Sequence, residues 1–254
     1  MPSVVVLGSG TSNGVPMLGF RYPEGYLDNP KNNRTRSSVI LLGPTGNLLV
    51  DCSPELRLQM SRERLYEIES VLITHTHADH IMGMDDLRSV CLLQRRPMPI
   101  YAWDRYQKDI QRIFPYAFPP YPEGVEVPKF DLRDVPPVLE VGGMRVDTFQ
   151  VWHGKTTPVV GIRCNDFAYV TDVSEIPSEA EERLQDLDVL ILDAVRLRAH
   201  PNHFNLEGAL KKIAELRPKK TYLTHLSHDY DHEKTSSELP RGVELAWDGL
   251  RIEI

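Results

Sequence analysis

The chain has 254 residues, 41% of them hydrophobic and 26% charged, which is enough to bury a sizeable core in one large domain, residues 1–254. No apolar run of about 18 residues is present, which excludes a helical membrane span. The formal net charge of −7 argues against a broad phosphate-tracking surface for long nucleic acid.

The opening MPSVVVLGSG lacks the basic start and long apolar run of a signal peptide. It is expected to give a first strand, SVVVLG (3–8), running into a loop, GSGTSNGVPMLG (8–19). The loop glycines Gly8, Gly10 and Gly14 permit close backbone approach, to a phosphate or to packing beneath a site. SVILLG (38–43) and NLLVDC (47–52) flank Pro44, Thr45 and Gly46, the composition of a hairpin turn. SVLIT (70–74) is a further strand. MDDLRSVCLLQ (84–94) has helical spacing at Met84, Leu87, Val90 and Cys91, with acidic residues at its start. IYAW (100–103) reads as a strand, and DRYQKDIQRIF (104–114) as a helix opening on an Asp cap.

Residues 115–137 hold seven of the chain's 20 prolines and are expected to form a rigid connection, neither regular helix nor central strand. Beyond it come strands at 144–152, 159–164, 167–171, 188–193 and 220–224, and a helix at NLEGALKKIAEL (205–216). Strands bunched in each half with helices between them suggest packed sheets covered by helices, an α/β fold. The cluster DYDHEK around His232 reads as a solvated turn. Cys52, Cys91 and Cys164 are too scattered for a disulfide framework or a CxxC zinc pair, and read as buried thiols of a reducing cytoplasm.

The chemistry concentrates in VLITHTHADHIMG (71–83), where His75, His77, Asp79 and His80 follow an apolar run. Histidines at i and i+2 of an extended segment share a side and face one ion, and an Asp with an adjacent His points to a second. Imidazole and carboxylate together suit zinc, manganese or iron(II), and the lack of cysteine disfavours a closed structural zinc site. Further ligand types stand at later strand ends: His153, Asp172 and His225.

THTHADH resembles the HxHxDH signature of the metallo-β-lactamase superfamily, whose fold is a four-layer αβ/βα sandwich. GSGTSNGVP, YVTDVSEIP and LTHLSHDYD are most similar to its phosphodiesterase branch, and within that to the phosphodiesterases that open phosphoribosyl 1,2-cyclic phosphate. The resemblance implies two divalent ions, Mn2+ or Zn2+. His75, His77 and His153 would hold one, Asp79, His80 and His225 the other, and Asp172 would bridge them. It implies hydrolysis of a small cyclic phosphate ester, phosphoribosyl 1,2-cyclic phosphate-like or a cyclic nucleotide, by a metal-bridging hydroxide, with His203 and Asp79 as the catalytic residues. His203 would protonate the leaving oxygen, as an imidazole titrating near neutrality can. His200 is expected to be exposed and without a role.

Those phosphodiesterases also carry cysteines after the corresponding loop, which with a C-terminal histidine bind a structural zinc. Residues 19–36 here have no cysteine, so His228 is expected to have lost that role. Two alternatives stay open on the same fold, a transfer RNA 3′-processing endonuclease and a lactone or thioester hydrolase. The expected partner is a small phosphodiester, with no membrane and no long nucleic acid. Homodimer formation is left open.

Overall fold

A computed structural model describes residues 2–254. Two seven-stranded sheets face each other. The first has the order β14 (Arg251–Glu253), β1 (Ser3–Gly8), β2 (Ser38–Leu42), β3 (Asn47–Val50), β4 (Ser70–Leu72), β5 (Met98–Tyr101) and β6 (Phe130–Arg133). The second runs β13 (Val243–Leu245), β12 (Lys220–Thr224), β11 (Val189–Asp193), β10 (Phe167–Val170), β9 (Thr157–Cys164), β8 (Met144–His153) and β7 (Val138–Val141).

The unbroken apolar run of β1 follows from burial on both faces. Side chains alternate across a strand, so Val4 and Val6 join the core between the sheets, together with Val39, Val146 and Tyr169. Val5 and Leu7 point the other way, under α1 (Leu56–Glu63), α3 (Leu87–Gln94) and α4 (Asp104–Ile113). The second sheet repeats the arrangement: Val151, Ala168 and Leu190 pack outward against Ala180 of α5 (Ser178–Arg183) and Ala209 of α6 (Leu206–Leu216). Helix, sheet, sheet and helix make the four-layer αβ/βα sandwich. Among the described residues no helix is long and apolar enough to cross a membrane.

The elements read from sequence are present with small shifts. Residues 84–94 divide into a 3-10 turn, Met84–Asp86, and then α3. The proline-rich segment contributes β6, which pairs only with β5 at the sheet edge. That is where nearby prolines cost no ladder hydrogen bonds. The elements that escaped sequence reading are α1, the short α2 (Ala78–Ile81), α5, α7 (His232–Glu238), β7, β13 and β14. They are too brief to show a period.

Two readings are corrected. Asp104 does not cap α4: it is the first helical residue, Trp103 holds the cap position, and no side chain bonds there. His232 is not in a solvated turn; it begins α7 and is buried, with its Nδ1 3.4 Å from the fully buried Arg34 guanidinium. Burial and the Arg34 charge hold its pKa down at about 4, so the neutral ring accepts from Arg34.

Candidate metal centre

All the candidate groups collect at one rim of the sandwich because the strands that carry them end there. His75 and His77 follow β4, with Asp79 and His80 on α2 immediately after. His153 is the last residue of β8, Asp172 follows β10 and His225 follows β12. Asp172 and His225 have positive φ, 50° and 57°, a left-handed turn that non-glycine residues adopt at a cost. In both, the chain leaves the strand sharply and the side chain stays at the rim.

One ligand atom from each of His75, His77 and His153 lies within 4.8 Å of the others, and the same holds for Asp79, His80, Asp172 and His225. The two oxygens of Asp172 divide between these groups. Its Oδ1 is 3.3 Å from His80 Nε2 and 3.4 Å from His225 Nδ1, while Oδ2 is 3.9 Å from His75 Nε2. His77 is exposed; the other six are buried.

The rings are fixed from behind. His80 Nδ1 donates to Asp51 Oδ2 at 2.7 Å, and Asp51 also accepts from the Thr74 amide and hydroxyl. His153 Nδ1 donates to the Asn202 carbonyl at 2.8 Å. Ser37 and Thr11 hydroxyls lie 3.1 and 3.3 Å from the two nitrogens of His225. Thr11 belongs to the glycine-bearing loop, which packs closely enough on residues 34–36 that a Cβ at Gly10 would crowd two carbonyl oxygens at 2.9 Å.

Burial lowers the pKa of His75 well below its usual value, and the neighbouring His80 charge adds to this. Burial would do the same to His80, but Asp172, Asp79 and Asp51 together drive it well above. Three carboxylates converging on one ring call for a cation. The Nε2 atoms of His75 and His80 are buried without a hydrogen-bond partner among the described residues. A buried ring nitrogen without a partner is costly, so this set of groups fits divalent metal, and the mixture of imidazole and carboxylate is that of zinc or manganese sites.

His203, in the loop before α6, comes within the same space. Its ring lies 4.3 Å from that of His153 and is stacked at 5.0 Å on His225. Its Nδ1 donates to Asp193 Oδ2 at 2.8 Å, which leaves Nε2 free. Burial alone would lower its pKa, but the Asp193 carboxylate overrides that and raises it to about 9. Asp193 is fully buried and also accepts the Val173 amide, next to Asp172. His200, expected to be exposed, is half-buried, its ring 4.9 Å from that of His203. His228 is outside these groups, its ring 4.2 Å from Phe20.

Asp51 and Asp193 are the residues that sequence reading missed. Each closes an apolar run, in NLLVDC and VLILDA, the signal that did reveal His153 and His225.

Fold and site together define a metal-dependent hydrolase. The chain belongs to the beta-lactamase superfamily, whose domain matches residues 46–226. Over 100% of its length it is 35% identical to a diphosphatase from the PhnP family, covering 98% of that chain with a TM-score of 0.91. Zinc-bound PqqB from Methylobacterium extorquens shares the fold, at a TM-score of 0.78 and 22% identity, with 99% of this chain and 100% of that chain covered. An octanoyltransferase of Porphyromonas gingivalis is 32% identical over 257 residues, 98% of this chain and 51% of that protein. The chain thus spans about half the length of that curated relative.

Proposed function

We propose that the protein is a phosphodiesterase using two divalent ions, Mn2+ or Zn2+, on a small cyclic phosphate ester. The observation that carries this reading is the division of the Asp172 carboxylate between two imidazole groups. His75, His77 and His153 would hold one ion and Asp79, His80 and His225 the other. When bound, the ions supply Lewis acidity toward the phosphoryl oxygens and lower the pKa of an attacking water.

The protein's own groups do the rest. Asp51 and the Asn202 carbonyl fix His80 and His153 through Nδ1, so that each Nε2 faces the centre. His203 holds a proton at Nε2 for the departing sugar oxygen, and Asp193 keeps the ring in the orientation and tautomer this needs. The likeness to a PhnP-family diphosphatase over the whole chain supports phosphoryl chemistry.

The transfer RNA reading needs a basic projecting arm. The irregular stretch 118–129 instead holds Lys129 alone against Glu123 and Glu126. The octanoyltransferase is about twice as long, so its acyl chemistry is a property of that whole protein.

A substrate panel tests the proposal. Bis(p-nitrophenyl) phosphate and ribose cyclic phosphates should be hydrolysed, with phosphomonoesters turned over poorly. Faster turnover of lactones or thioesters than of any phosphodiester would replace the reading with carbon-ester hydrolysis.

A further inference from the structure

Three segments that build the metal centre also wall a second cleft. The loop after β1 sets Thr11 against His225 and then carries Phe20, Tyr22 and Tyr26. The turn after β12 carries His225 and, three residues on, His228. The loop before α6 carries Leu197 and Arg198 as well as His203. With parts of α6 and α7 these segments enclose about 1010 Å3, the size of a small-molecule site.

One wall is aromatic. The Phe20 ring lies 4.2 Å from His228 and 4.8 Å from Tyr22, and Tyr22 stacks on Tyr26 at 5.1 Å. Hydrogen bonds hold this wall in place. The Met17 amide donates to the Tyr22 oxygen at 2.6 Å, and the Tyr26 hydroxyl donates to the Tyr230 carbonyl at 2.8 Å. Leu206, Leu210 and Leu239 add apolar surface. Phe20 is nonetheless 40% exposed and Leu197 46% exposed, so hydrophobic surface stays in water beside the site.

The charges narrow the choice of ligand. Glu24, Asp229, Asp231 and Glu238 outnumber Arg198 and Lys234 around the cleft. A second phosphate would be repelled on balance. A neutral planar ring bearing amino donors suits both the aromatic wall and the carboxylates. His225 and His228 are three residues apart, at most about 11 Å of backbone, so one nucleotide reaches from the centre into the cleft.

We infer that this cleft takes the nucleobase of a nucleotide whose phosphodiester lies on the metal centre, with Phe20 and His228 as the stacking surface. The inference rests on the phosphodiesterase reading for its catalytic half. It separates a base-bearing substrate from a base-free sugar phosphate.

Two measurements on the metal-loaded chain test it. The first compares kcat/KM for adenosine 2′,3′-cyclic phosphate with that for the 2,3-cyclic phosphate of methyl riboside, which has the same ester and no base. In Phe20→Ala the ratio of the two should fall roughly tenfold or more, the usual loss when a base stacks on one ring. A ratio that moves by less than about threefold overturns the inference. The second is saturation-transfer NMR with adenosine, which needs no phosphodiester chemistry. Wild type should saturate the adenine H2 and H8 protons, and Phe20→Ala should abolish that transfer. If neither cyclic phosphate is hydrolysed while adenosine still contacts Phe20, the phosphodiesterase reading fails and the base site stands. No transfer in the wild type removes the base site.

Discussion

Asp51 Oδ2 and His80 Nδ1 lie 2.7 Å apart, both fully buried, at the ends of neighbouring segments 29 residues apart in the chain. Asp51 holds its carboxylate there with two bonds from Thr74 and a positive φ of 64°. This pair determines which nitrogen of His80 faces the centre. Asp51→Ala should lower metal affinity roughly 10- to 100-fold while the other ligands remain. Competition titration of zinc against a chromophoric chelator measures this. Affinity equal to wild type would show that His80 is oriented without Asp51.

Asp172 touches both imidazole groups, so its loss should be felt by both ions. Wild-type protein is expected to bind close to two divalent ions per chain, counted by elemental analysis after dialysis. Asp172→Ala should lose most of that metal and most hydrolytic activity together. Retention of both ions by the variant would exclude the bridging role.

His203 differs from the ligands in its partner, Asp193. His203→Ala should retain metal but lose roughly 10²–10⁴-fold in kcat on an ester with an alkoxide leaving group. The loss should shrink on a p-nitrophenyl ester, whose leaving group departs without a proton. Asp193→Asn should show the same dependence on leaving group in weaker form. Equal losses on both esters with metal retained would assign His203 to phosphate binding instead of proton transfer.

His232 gives an acid-sensitive contribution to stability. Its folded pKa of about 4 lies below the ordinary imidazole value of 6.5, held there by burial and by the facing Arg34 and Lys31 against the weaker pull of Asp231 and Glu244. The unfolded chain therefore binds more protons between those values, so this stability is full above about pH 6.5 and is lost as pH falls toward 4. Urea unfolding midpoints across that window should decline with acid, and His232→Gln should flatten the decline. An unchanged slope in the variant would place the acid sensitivity elsewhere.

The order of β1 to β5 and of β9 to β12 was legible in the sequence chiefly because strands buried on both faces read as apolar runs, while β8 showed itself by alternation, with Arg145 and Gln150 exposed. The metal-capable residues were legible for a related reason: a polar ligand at the end of such a run has no packing role to explain it. His75 to His80, His153, Asp172 and His225 all satisfy that pattern. Among the elements that escaped, α2, β13 and β14 are three or four residues long, and none exceeds the eight residues of α1. Those three exist because the rim and the sheet edge hold them, not through propensity of their own.

Tertiary structure alone decided who supports whom. Thr11 meets His225 across 214 residues, and Arg34 meets His232 across 198. No local period records such a pairing, because it depends on how two sheets close on each other. The same closure buried His232, which its charged neighbours had marked as solvated, and gathered Phe20, Tyr22, Tyr26 and His228 into one wall. Residue type and strand position thus determined the chemistry available at the rim. The packing of distant segments determined the orientation of each ring, because a hydrogen bond to Nδ1 settles which nitrogen is left to act.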